Sequence, residues 1–219
     1  MLRPYQDTAW SLYPPAGAWG TCRMANVGGM VLDFALVRNG EKTIHDLAMN
    51  LDRADLHRLT DEMIDRMLSL IENATDEDVV CVPEDPQAND KFASSADQVS
   101  LPWTLGHVIV HTSASAEECA AQACALARGV LITGRSRYET PWEMVKTIAQ
   151  VRQRLEESRR MRHALLNAWP EEPHLEVVYV PKRPGAQPLN AVTYFISGLN
   201  HDDAHLEQIQ KIMNQTVQA

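Results

Sequence analysis

The chain has 219 residues, 45% of them hydrophobic and 22% charged, with a formal net charge of −9. That length and balance suit one globular domain with its own core and exclude a chain disordered throughout. The net acidity excludes a polycation that grips duplex DNA by bulk charge. The charge is uneven: residues 51–100 are strongly acidic, and 135–169 are rich in arginine. The simplest reading is that the two segments complement each other within one fold.

Residues 1–50 carry weak periodicity and are punctuated by Pro14-Pro15, Gly17, Gly20 and Gly28-Gly29. The run from Met30 to Val37 suits a short strand or a helical turn equally well, and Thr43 to Met49 suits a brief helix. This region is expected to be an N-terminal extension packed on the main body, residues 51–219. Residues 52–73 read as a long helix capped by Asp52, with Leu56, Leu59, Met63, Met67 and Leu70 on one apolar face. Residues 76–99, with Pro83 and Pro86, form a polar connection that is long for a structureless loop, which suits either a functional or a mobile segment.

A second helix is expected from about Ser100, with Pro102 in its first turn. Leu105, Val108, Ile109, Thr112, Ala116, Cys119, Ala120 and Ala123 form its inner face, and Gly129 and Gly134 bracket its end. The alanines imply close approach of a neighbouring helix. The third helix is expected to open at Thr140-Pro141-Trp142-Glu143, which reads as a capping box. Val145, Ile148, Ala149, Leu155, Leu165 and Trp169 make its buried stripe, decorated by Arg152, Arg154, Arg159, Arg160 and Arg162. After a connection that includes Val177–Val180, a fourth helix runs from about Asn190 to Gln215, with Phe195, Leu199, Leu206, Ile209 and Met213 at helical spacing. Four amphipathic segments without a strand set predict an all-α four-helix bundle.

Four of the eight histidines fall in two His-x-x-x-His pairs, His107/His111 and His201/His205. On a helix, positions four apart share a face, so two imidazoles can converge on one metal ion. With His205 at 0° on a helical wheel, His201 lies at about −40°, Tyr194 near −20° and Asp202 near +60°. Asp202 thus falls on the inner side, where a carboxylate needs a partner. Two readings stay open: histidines hydrogen-bonded within a packed core, or ligands of a metal site. His45, His57, His163 and His174 lack comparable partners and are expected in surface or structural roles.

Other templates fail. There is no His-Glu-x-x-His, no Gly-rich phosphate loop and no nucleophile elbow. The four cysteines contain no Cys-x-x-Cys. No secretory leader and no membrane span is apparent, so the expected compartment is the cytoplasm. No basic–aromatic interleaving suggests nucleic-acid binding.

Two motifs carry a family resemblance. Ser100-Leu101-Pro102-Trp103-Thr104-Leu105-Gly106-His107 resembles the start of the second helix in DinB-like (YfiT-like) proteins. His201-Asp202-Asp203-Ala204-His205-Leu206-Glu207-Gln208-Ile209 resembles their fourth-helix motif. The resemblance covers about residues 54–215. It implies a four-helix bundle, often dimeric, with a divalent metal held by three histidines. Carried onto this sequence, the ligands are His107, His201 and His205, with His111 beside them as a partner or spare ligand. Zinc or nickel is the implied metal, with iron or manganese as further options.

Three neutral imidazoles leave the full +2 charge on the ion and favour an anionic fourth ligand, hydroxide or thiolate. The implied function is a metal-dependent enzyme acting on a small molecule, as a hydrolase or as a transferase using a low-molecular-weight thiol. Tyr194, Asp202 and His111 are the candidates to support the ligands. The alternative is a non-catalytic helical module for binding or dimerisation.

Overall fold

The computed structural model describes residues 32–90, 96, 99–133, 141–182 and 184–216. Residues 1–31 of the extension, parts of the 76–99 connection, Gly134 and Thr140 lie outside the described residues. Among the described residues seven helices follow in order: α1 (Ala35–Arg38), α2 (Ile44–Ala48), α3 (Arg53–Leu70), α4 (Asp76–Val80), α5 (Leu105–Ala127), α6 (Ile148–Asn167) and α7 (Ala191–Thr216). A single 3₁₀ turn, Trp142–Met144, precedes α6. The chain is all-α, as its periodicity predicts. Among the described residues the only β-type pairing is the antiparallel contact of Tyr179 with Leu189. No described helix is long and apolar enough to cross a membrane.

Local chemistry sets the helix starts. Reciprocal capping boxes open α2 at Thr43/Asp46, α3 at Asp52/Asp55, α4 at Thr75/Asp78 and α6 at Thr147/Gln150. Asn190 caps α7 by accepting from the Thr193 N–H at 3.0 Å. Two expected starts shift. The second helix begins at Leu105 under a Thr104 cap rather than at Ser100. A helix through Leu101 would force the residue before Pro102 into a conformation that proline disfavours. The third begins at Ile148, because the chain is extended at Val145 after the 3₁₀ turn. There the Val145 carbonyl crosses the start of α5, only 2.9 Å from where a Cβ on Gly106 would sit. At its far end α5 stops where Gly129 turns left-handed (φ +78°), with Val130 N–H donating to the Ala125 carbonyl. The short α4 within the long connection has a box of its own that periodicity does not reveal.

Long helices α3, α5, α6 and α7 form the bundle, in the cyclic order α3–α6–α5–α7. His57 meets His163 and Asp61 meets Arg159, so α3 and α6 are antiparallel. Gly198 packs on Ala116 and Cys119 while His201 meets His111, so α5 and α7 are antiparallel too. Leu59 lines a small cavity with Leu199, and Arg66 reaches Asp203, which makes α3 and α7 parallel. It follows that α5 and α6 are parallel. The C-terminal end of α5 and the N-terminal end of α6 therefore lie at opposite ends of the bundle, about 35 Å apart for the 23 residues of α5.

Leu56, Ile64, Met67, Ile109, Leu155, Leu166, Ile196 and Leu199 are buried at the centre. Each such side chain contributes about 1.5–3 kcal/mol of burial. The inner face of α6 is Val151, Leu155, Ser158, Arg162 and Leu166, rotated from the expected stripe, and Arg162 is interior rather than a surface decoration. Phe34 is buried in the same core, and His45 Nε2 lies 2.7 Å from the Pro188 carbonyl, so residues 32–50 pack onto the bundle. Acidic and basic segments meet as expected: Arg159 binds Asp61 and Asp65, and Arg152 reaches the Glu72 carbonyl.

Candidate metal centre

Helices α5 and α7 cross closely because Gly198 faces Ala116 without a side chain between them. That approach brings one histidine of α5 against two of α7. His111 Nε2 and His201 Nε2 are 3.1 Å apart. Adding His205, one ring nitrogen from each of the three lies within 4.8 Å of the others. The rings surround a common point, with centroids 4.8–5.2 Å apart and planes tilted by 50–71°.

The protonation state of His205 suits metal binding. His205 Nδ1–H donates to Gln208 Oε1 at 2.7 Å, one turn further along α7, so Nε2 keeps the lone pair. Burial lowers the His205 pKa against the opposing effect of that hydrogen bond, and favours the neutral ring. His201 is 5% exposed. A tetrahedral ion at about 2.0–2.1 Å from each nitrogen spaces its ligands by about 3.4 Å. The 3.1 Å pair already fits that span, and the widest separation needs a closure of about 1.4 Å or less. The residues present therefore fit a divalent ion.

His107 is elsewhere. Its ring is held between Trp103 (centroids 4.4 Å apart, planes at 24°) and Trp142 (4.5 Å, 4°). Burial in this sandwich lowers its pKa to about 4. The ligand set implied by resemblance, His107 with His201 and His205, is thus not what the structure gathers. His111 joins the two α7 histidines in its place. Trp103 separates the two groups: its other ring contacts are His111 at 4.6 Å and His205 at 5.9 Å.

Asp202 is fully buried and paired with the equally buried Arg162, Oδ2 to Nη1 at 2.6 Å. Burial raises its pKa to about 6, against the Arg162 charge and hydrogen bond, which pull it down. Its role is an internal clamp between α6 and α7, one residue from His201. Arg154 pairs with buried Glu117 at the neighbouring α5–α6 contact. Tyr194 lies seven residues before His201, about 10 Å along the helix axis, and packs its edge on Tyr179 at 5.6 Å. It takes no part in the histidine cluster.

The signal that selects His111 lies in small residues. Gly198 against Ala116 sets the antiparallel register, and moving three residues along α7 to His201 moves back along α5 toward His111. Sequence reasoning missed the contributions of Trp142 and Arg162, which only packing reveals.

The sequence profile of the DinB superfamily matches residues 59–209. The chain belongs to the DinB superfamily. The match reaches into all four long helices of the bundle and includes His111, His201 and His205. No curated protein and no solved structure matches the chain.

Proposed function

We propose that this DinB-superfamily chain is a metal-dependent enzyme that binds a divalent ion, zinc or nickel, through His111, His201 and His205. The convergence of three imidazole nitrogens within 4.8 Å carries this reading. A bound ion would supply Lewis acidity that lowers the pKa of a thiol or a water, for transfer to or hydrolysis of a small electrophilic substrate.

The chain's own groups prepare that chemistry. Gln208 fixes the His205 tautomer by accepting from Nδ1–H. Trp103 lies over His111 and His205 and keeps water from one side of the ligands. The Arg162–Asp202 clamp holds the rotation of α7, and so the direction of His201. Three neutral ligands leave the ion its full charge, which favours an anionic nucleophile.

Equilibrium dialysis against Zn²⁺ with metal analysis tests the site. His111→Ala and His201→Ala are expected to lose the bound ion, while His107→Phe retains it. Retention by His111→Ala together with loss by His107→Phe overturns the ligand set. If a chelator leaves the wild-type thermal midpoint unchanged and no variant alters metal content, the non-catalytic bundle reading replaces this one.

A further inference from the structure

Across the bundle from the triad, antiparallel α3 and α6 place His57 opposite His163. The two Nδ1 atoms are 2.5 Å apart, the ring centroids 4.8 Å apart, and the planes differ by 16°. That centroid separation is about the largest a 2.5 Å contact between ring nitrogens allows, so the nitrogens meet head-on in nearly one plane. Two bare lone pairs at this distance repel, so one Nδ1 must donate its N–H to the other, or an ion must take that proton's place. Without a metal, His57 Nδ1–H donates to the bare Nδ1 of His163.

The remaining nitrogen of His163 is also committed. His163 Nε2–H donates to Asp61 Oδ1 at 2.8 Å. Asp61 is held in turn by Arg159 at 3.0 Å, and Arg159 also binds Asp65 and Glu156. Nδ1 is thereby left as the basic nitrogen of His163, turned toward His57. The Arg53 guanidinium, whose charge acts on His57, is engaged with the Trp169 carbonyl. Burial, then the charges of His163 and Arg53, lower the His57 pKa and favour a ring free of a second proton at neutral pH.

We propose that His57 and His163, with Asp61 orienting His163, form a second site for an imidazole-seeking divalent ion such as Zn²⁺ or Cu²⁺. Metal-bound histidines usually donate their other N–H to a carboxylate or carbonyl, which is the Asp61–His163 arrangement. Imidazole suits both ions. An ion at about 2.0–2.1 Å from both nitrogens sets them about 3.4 Å apart, so the rings part by about 1 Å. His163 is 24% exposed and Asp61 47%, which lets water complete the coordination. Both rings would then bind as neutral imidazoles through Nδ1, with the His57 proton moved to its Nε2.

Zn²⁺ stoichiometry by equilibrium dialysis tests this site apart from the triad. Wild type is expected to bind about two ions per chain. His57→Gln, His163→Gln and the double variant His111→Ala/His201→Ala are each expected to bind about one. In the last protein, the imidazole NMR signals of His57 and His163 shift on Zn²⁺ addition, a readout that leaves the proposed site intact. Asp61→Asn weakens the second site without abolishing it. The inference is overturned if folded His57→Gln and His163→Gln bind as much zinc as wild type, or if those imidazole signals do not move. Loss of one ion in the His57 variant, with one retained in the triad double variant, supports this site whether or not the triad itself binds metal.

Discussion

Gly198→Ala separates the packing account of the site from a propensity account. On helix propensity alone, alanine in a helix interior is favoured over glycine by about 1 kcal/mol. Here the new Cβ would sit 2.9 Å from Cys119 Cβ and 3.1 Å from Ala116 Cα. Carbon atoms pack at about 3.5–4.0 Å, and both obstacles are anchored to the α5 backbone, so the two helices must part by about 0.5–1 Å. Overpacking of that kind costs about 1–3 kcal/mol, which leaves a net loss of about 0–2 kcal/mol. The same displacement acts one turn away on His201. Added to the present 3.1 Å between His111 and His201, it carries the pair past the ~3.4 Å span of a tetrahedral ion. Urea denaturation of the metal-free protein measures the first effect, and Zn²⁺ competition with a chromophoric chelator measures the second. A variant stabilised by about 1 kcal/mol, with unchanged zinc affinity, refutes the claim that this close approach builds the site.

Three other outcomes follow from the geometry. Arg162→Met strands the buried Asp202 carboxylate and should cost about 3–5 kcal/mol in denaturant unfolding, whereas Arg162→Met/Asp202→Leu recovers most of the loss. Gln208→Leu frees the His205 tautomer and should weaken metal binding about 10- to 100-fold by competition titration, with little change in metal-free stability. His107 has a folded pKa near 4, below its unfolded value of 6.5, so its contribution is complete above about pH 6.5 and lost as pH falls toward 4. Asp202, raised from 3.8 to about 6, changes stability in the opposite direction, losing it as pH rises over that range. His107→Phe keeps the ring between the two tryptophans and removes its titration. Its stability, followed by circular dichroism, should therefore fall less than wild type between pH 6.5 and 4.

Much of the bundle is legible in the sequence because the information is local. Leu56, Leu59, Met63 and Met67 repeat at the helical period, and Asp52 caps α3 where expected. The Thr140-Pro141 segment misleads because a second box, Thr147/Gln150, competes with it seven residues later. The winner is decided by Val145 crossing α5, a tertiary contact. The same limit governs the site. Both His-x-x-x-His pairs are visible, and His201 and His205 do come together, but whether His107 or His111 meets them depends on the α5–α7 register. Arg162 sits on a helix otherwise marked as basic and exposed, and its interior position follows from the buried Asp202 on α7. His57 and His163 are too distant in sequence for spacing to reveal their contact.

The triad joins residues that are 90 positions apart in the chain, on helices that meet only when the bundle is assembled. No fragment ending before α7 contains more than one of its three ligands. An ion held by all three ligands would therefore require α5 and α7 to be docked, whereas α7 alone could offer it only the His201/His205 pair. Its binding energy accordingly opposes separation of α5 from α7, by about 2.7 kcal/mol at a free metal concentration one hundred times Kd. Fraying at the outer ends of the helices escapes that restraint. Metal supply would thus set the lifetime of the docked helix pair while leaving the looser parts of the molecule as they were.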